Sequence, residues 1–298
     1  MKIAITGATG FIGSALTQHL RGKGHDVLRI TRGAAGGDTL HWDPAAGVLD
    51  RDRLEGVDAV VHLAGESIGR LFWTEAHKMR VLDSRVRGTA LLAETLAGLD
   101  HPPEVLVSAS AVGYYGDRGD EELTEESGRG TGFLAEVAVA WEEAAGAARD
   151  AGIRVVHPRT GIVLSSLGGV LPRILLPFRL GLGGRLGSGR QWWPWITLED
   201  EVRAIVWCIE RSQVAGPVNL SAPNPVRNAE FTETLARVLR RPALLPAPRA
   251  VLRVALPEMA DELLLASQRE IPHRLSEGGF EFAHPELEGG LRAALATG

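Results

Sequence analysis

The chain is 298 residues long, 45% hydrophobic and 23% charged, with a formal net charge of −5. That length suits one large α/β unit, or such a unit with a cap. The mildly acidic balance gives no electrostatic ground for a nucleic acid or an anionic membrane as partner, and no run of about 18 apolar residues is present to span a bilayer.

Lys2–Thr6 is an apolar, strand-like run at the start, so no signal peptide is expected. Thr6-Gly7-Ala8-Thr9-Gly10-Phe11-Ile12-Gly13 follows, and a helical pattern runs over Phe11–Gly22. A dinucleotide pyrophosphate needs backbone N–H donors at close approach, and so residues without a Cβ. It also favours a helix N-terminus. On this reading Gly7 makes the turn, Gly10 admits the phosphates, and Gly13 lets the helix pack on the strand. A second strand is predicted over Asp26–Arg32. An acid at its end, about 20 residues past the glycines, would bind the ribose hydroxyls of NAD. Here the chain reads Ile30-Thr31-Arg32, with no acid until Asp38. An arginine in that place pairs with a 2′-phosphate, so the expected cofactor is NADP(H) rather than NAD(H).

Further strands are predicted over Ala59–Leu63, Glu104–Ser108 and Arg154–His157, alternating with helical patterns over residues 73–96 and 133–149. Phe133, Val137, Trp141, Ala145 and Ala148 form an i, i+4 stripe, and Gly152 follows as a stop. Strands alternating with helices of this length imply right-handed crossovers and an α/β fold, a doubly wound parallel sheet with a smaller C-terminal cap. Ligands in such sheets sit at the carboxyl ends of the strands. Those ends are Thr6, Arg32, Ala64-Gly65, Ser108–Ser110 and Pro158-Arg159.

In the second half, residues 181–194 are glycine-rich and carry Trp192 and Trp193. A helix over about 199–211 holds Cys208, the single cysteine, which reads as core packing. One thiol excludes an internal disulfide and suits a reducing cytoplasm. A short strand over 217–220 follows, then a proline-punctuated tail with helical patterns over 249–256 and 259–266. The expected division is a dinucleotide-binding unit over 1–240, with a substrate-side loop at 165–195, and a small cap over 241–298. No cluster has metal-ligand spacing, and no serine sits in a nucleophile elbow.

TGATGFIG at Thr6–Gly13, His62-Leu63-Ala64-Gly65 and Ser108-Ala109-Ser110 resemble the extended short-chain dehydrogenase/reductases. Longer stretches resemble the atypical subgroup of epimerase family proteins, similar to nucleoside-diphosphate-sugar epimerases. They include Gly187-Ser188-Gly189-Arg190-Gln191-Trp192, Trp195-Ile196-Thr197 and Gly279-Phe280-Glu281-Phe282, the last in a small C-terminal domain of unassigned role. The resemblance spans essentially the whole chain. It implies cofactor contacts from Gly7, Thr9, Gly10, Phe11, Ile12, Thr31, Arg32, Leu63, Ala64, Gly65, Ser108, Pro158 and Arg159. It also implies a small-molecule substrate and a homodimer paired through the helices at 73–96 and 133–149.

Such proteins polarise a substrate oxygen with a serine. They exchange its proton through a tyrosine whose pKa is lowered by a lysine four residues later, general acid–base catalysis worth roughly 10²–10⁴-fold. Ser110 matches the serine, but Phe133 stands in the tyrosine position and Val137 in the lysine position. The two tyrosines, Tyr114 and Tyr115, lie in the loop after Ser110. In one reading Tyr114 or Tyr115 substitutes, with Arg118 lowering its pKa through charge, and the chain is an NADP(H)-dependent oxidoreductase or epimerase-like protein. In the other it binds or senses the nucleotide without that chemistry. Lys78 and Arg85 read as a charged helix face within reach of an anionic ligand. Glu66 and Ser67 read either as facing the nicotinamide ribose or the substrate, or as a solvated loop. Trp192, Trp193 and Trp195 read either as a cover over substrate or as a buried aromatic cluster.

Overall fold

Runs such as Ile3-Ala4-Ile5 and Ala59-Val60-Val61 are buried on both faces in the computed structural model, which describes residues 1–296. Strands of that kind belong to a sheet covered by helices on each side. The strands are β1 (Lys2–Thr6), β2 (Asp26–Thr31), β3 (Thr39–Asp43), β4 (Val48–Leu49), β5 (Ala59–His62), β6 (Val105–Ser108), β7 (Ser110–Ala111), β8 (Arg154–Thr160) and β9 (Gly216–Leu220). The principal helices are α1 (Phe11–Gly22), α2 (Glu75–Ala97), α3 (Phe133–Glu143) and α4 (Leu198–Glu210). The sheet order is β9-β8-β6-β5-β1-β2-β3-β4, with β7 beside β8. Its pairs are parallel except the short β3–β4 hairpin at one edge. The order reverses between β1 and β5, which opens a crevice at their carboxyl ends.

Alternation along the strands builds two cores. Ile3, Ile5, Val61, Val107 and Val156 pack with Leu16 and Leu20 of α1 and Val202 and Ile205 of α4. Ala4, Val60, Leu106 and Val155 pack with Leu92 and Leu96 of α2. Cys208 is wholly buried in α4, and burial pushes its thiol pKa up.

Three expected elements differ. The helix over 73–96 starts at Glu75, because Thr74 Oγ1 accepts from the His77 N–H at 3.2 Å as an N-cap. The helix over 133–149 breaks after Glu143 and resumes over Gly146–Asp150. The strand from Arg154 continues through Pro158 to Thr160. On one side β6 pairs only as far as Val156 and β7 takes over at Arg159, so Pro158 lies in a gap there, while on the other side it pairs with Val218 of β9.

The third core lies beyond the crevice and joins Trp193, Trp195 and Phe231 to Leu287 and Leu291 of the terminal helix, Leu287–Ala296. Leu275, Phe280 and Phe282 meanwhile pack into the core of α1 and α4, and Arg269–Glu270 pairs in parallel with Glu122–Leu123. The cores therefore do not divide at residue 240. Among the described residues no helix is long and apolar enough to cross a membrane.

Candidate functional site

Gly7 leaves β1 with φ +68°, and a Cβ there would lie 2.8 Å from the Leu63 carbonyl carbon. A Cβ on Gly13 would lie 2.1 Å from the Gly7 oxygen. Both positions therefore require glycine for the loop to close against β5 and α1. Gly10 is the N-cap of α1, without a side-chain cap, and the first turn carries no acid. The helix N-terminus thus keeps free N–H groups and its positive dipole end. Thr9 and Gly10 are exposed, and Phe11 and Ile12 are half-buried. Behind the loop, Thr6 Oγ1 accepts from the Leu63 and Ala64 N–H groups at 3.1 and 3.2 Å and lies 2.7 Å from His62 Nδ1. Burial, with Arg85 nearby, pushes the His62 pKa down to about 3, so the ring is neutral.

At the end of β2, Thr31 is half-buried. Arg32 is exposed and has no ion-pair partner among the described residues. Asp38, the first acid after it, lies 2.8 Å from Arg29 and also pairs with Arg21. Hydrogen bonds from those two arginines hold its carboxyl below the usual range. The crevice therefore offers a free guanidinium and no free carboxylate at the adenosine end. That donor set fits a 2′-phosphate rather than a ribose diol.

Ser110 is buried, and its Oγ donates to Glu142 Oε1 at 2.7 Å. Arg159 holds the same carboxylate through Nε and Nη2, each at 2.9 Å, and donates from Nη1 to the Tyr115 hydroxyl at 3.0 Å. Tyr115 is fully buried, with its hydroxyl 2.6 Å from Asn219 Oδ1 and 3.0 Å from the Thr124 oxygen. Burial pushes its pKa up. Tyr115 is thus sealed inside, and of the two expected tyrosines only half-buried Tyr114 keeps a hydroxyl without a hydrogen-bond partner among the described residues. The cation beside them is not Arg118, which pairs with Glu121 at 2.6 Å and reaches the Gly128 oxygen. It is Arg159, 3.4 Å above the Tyr114 ring. Arg159 is accordingly turned inward by its ion pair rather than toward the crevice, contrary to its expected place as a cofactor contact. Pro158 and Ser108 are buried too, whereas Leu63 and Ala64 are half-buried and Gly65 is exposed.

The stripe on α3 faces α2. Phe133 meets Trp73 edge-on at 5.6 Å, with Lys78 Nζ 5.5 Å from its ring. Val137 is buried, and Trp141 carries the Arg85 guanidinium 4.8 Å from its ring. Burial brings the Arg85 pKa down to about 10. Glu66 is half-buried, and Ser67 Oγ accepts from the Gly69 N–H. Trp193 and Trp195 belong to the third core, while Trp192 lies at the surface between Arg227 and Arg269. Glu142 and Asn219 are the site residues that sequence reasoning missed. Each is an ordinary polar residue in its own segment, without a motif around it.

Residues 3–221 match the NAD dependent epimerase/dehydratase family, and residues 247–294 match a domain of unknown function, DUF1731. An epimerase family protein of Mycobacterium bovis is 48% identical, over 95% of this chain and 93% of its own. A crystal structure of the human epimerase family protein SDR39U1 with NADPH is 36% identical, with a TM-score of 0.91 and 99% of each chain covered. A nucleoside-diphosphate sugar epimerase from Corynebacterium glutamicum is 38% identical, with a TM-score of 0.82, covering 98% of this chain and 58% of that one.

Proposed function

The chain belongs to the NAD dependent epimerase/dehydratase family, and from that membership we propose that it binds NADP(H) and acts on a small polar substrate as an oxidoreductase or epimerase-like enzyme. The NADPH bound by the human relative supports the choice of cofactor, as does the unpaired Arg32. Gly7, Thr9, Gly10, Phe11 and Ile12 would cradle the pyrophosphate, with Arg32 on the 2′-phosphate and Leu63, Ala64 and Gly65 along the crevice. The bound cofactor supplies hydride chemistry. The protein's own part is the proton, and the carrying observation is the 2.7 Å bond from Ser110 Oγ to Glu142.

Because Ser110 Oγ donates its hydrogen bond to Glu142, its oxygen is set to accept a proton from a substrate hydroxyl. As that proton arrives, the serine proton passes to the carboxylate, and reduction reverses both moves. Arg159 fixes the carboxylate through two bonds, so the path is oriented before substrate binds. Ser110→Ala and Glu142→Gln should each lower kcat by about 10²–10⁴-fold with NADPH affinity unchanged, read by NADPH oxidation over a carbonyl panel and by calorimetry. Turnover surviving both substitutions would overturn the path.

Phe133 and Val137 favour a second reading, a nucleotide-binding protein without turnover. It predicts NADPH binding with no oxidation over the whole panel. The proposal also includes a cytoplasmic location and a homodimer through α2 and α3. A monomeric mass by light scattering at micromolar concentration would refute the dimer.

A further inference from the structure

The formal charge of −5 is a sum over the chain, and it hides a basic face. Residues 151–198 contain no aspartate or glutamate, and neither do residues 234–257. The fold brings these two acid-free stretches together. Beyond the helix Leu171–Arg179, residues 179–187 run alongside residues 241–247. Arg241 Nε donates to the Arg179 oxygen at 3.1 Å, the Leu245 N–H to the Gly183 oxygen at 3.1 Å, and the Ala247 N–H to the Arg185 oxygen at 2.9 Å. Leu186 and Ala247 form a parallel bridge.

The paired segments leave large apolar side chains in water. Leu176, Leu180, Leu182, Leu244 and Leu245 are between 54% and 79% exposed. Single exposed leucines are ordinary, but four of these stand on two segments bonded to each other, and Leu176 lies one helical turn before Leu180. Among them are Arg179, Arg185, Arg240 and Arg241, all exposed and none paired with a carboxylate among the described residues. The arginines at the flanks differ, since Arg237 pairs with Glu288, and Arg249 and Arg253 with Asp261. Free cations and free leucines therefore coincide on one face. A second copy meeting this face through a two-fold axis would set the arginines against their own images. A layer of anionic phospholipid suits both kinds of side chain at once. Its phosphates take the guanidinium forks, and the leucines enter the boundary between headgroups and acyl chains.

We propose that the face built by residues 176–185 and 240–245 docks the protein on the surface of an anionic phospholipid membrane. The chain lies on the bilayer and does not enter it, held by arginines at the phosphates and leucines just beneath them. Arg173, on the same helix as Leu176, donates to the Gly69 oxygen at 2.6 Å, in the loop that follows β5. A docked molecule thus keeps its crevice beside the lipid. The inference is independent of the cofactor and of the proton path.

Co-sedimentation of the full chain with vesicles tests this. Vesicles of equimolar phosphatidylcholine and phosphatidylglycerol should bind it, more weakly as salt rises, and vesicles of phosphatidylcholine alone should not. Arg179→Gln and Arg240→Gln should each weaken binding by roughly fivefold, and Leu180→Ser and Leu244→Ser each by roughly tenfold. All four side chains are exposed, so the urea midpoint and the NADPH affinity of each variant should match wild type, which separates lost docking from lost folding. Wild-type protein that ignores the phosphatidylglycerol vesicles, or binds both kinds equally, would overturn the proposal. So would binding that all four substitutions leave unchanged. A wild-type oligomer that Leu180→Ser or Leu244→Ser dissociates would also overturn it and give the face to a second copy. None of these outcomes bears on the NADP(H) reading, which titration with NADPH tests by itself.

Discussion

Tyr114 and Tyr115 are neighbours in sequence and opposites in the fold. One is half-buried with its ring against Arg159, and the other is fully buried between Arg159, Asn219 and the Thr124 carbonyl. Sequence offered both as proton carriers, because nothing local says which ring turns inward. The decision belongs to Asn219, 104 residues away, whose amide meets the Tyr115 hydroxyl from β9. Tyr115→Phe should therefore cost about 1–3 kcal/mol, since it leaves buried polar partners unsatisfied, and should lower the urea midpoint without changing NADPH affinity. Tyr114→Phe should leave that midpoint close to wild type. Equal midpoints for the two variants would contradict this assignment.

Among the elements, α3 shows how the C-terminal segment serves the site. Gly132 precedes the helix with φ +106° and lends it no capping side chain. Glu262 supplies the missing acceptor, taking the Phe133 and Leu134 N–H groups at 3.1 Å each, a carboxylate on the positive end of the dipole. Glu258 meanwhile holds Lys78 on α2. The segment thus ties together the two helices whose facing sides carry Phe133, Trp141, Lys78 and Arg85. Glu262→Ala should cost about 1 kcal/mol and speed amide exchange in the first turn of α3, with α1 unaffected. Unchanged exchange at Phe133 and Leu134 would rule the cap out. The periodicity of α3 was readable because a helix face is local. Its cap was not, because the capping residue is 129 residues away.

For the whole molecule, two buried carboxyls set a pH dependence. Burial raises the Glu201 pKa to about 8, and raises that of Glu270 well above its ordinary value with Glu125 adding repulsion. Both hold a proton more tightly folded than unfolded. Their contribution is therefore complete below about pH 4.5, and that of Glu201 is lost as pH rises through about 8. His62 and His157, whose pKa values burial lowers, ionise in the unfolded chain near pH 6.5, so their opposite slope fades as pH rises above that value. Between pH 6.5 and 8 Glu201 should lower stability by up to roughly 1.4 kcal/mol per pH unit, with Glu270 acting in the same direction, and Glu201→Gln should lessen the slope of the urea midpoint. A wild-type midpoint that is flat over this interval would refute it. The contrast between the glycine loop and the proton path has one physical cause. The loop, its helix and the strand before it are contiguous, so spacing and residue type alone specified the fold class and the dinucleotide crevice. Ser110, Glu142 and Arg159 come from three separate elements, and Arg85 meets Gly65 from a fourth. Only tertiary packing could decide which hydroxyl, carboxylate and cation share a site, because burial and ion pairing act between segments that the sequence keeps apart.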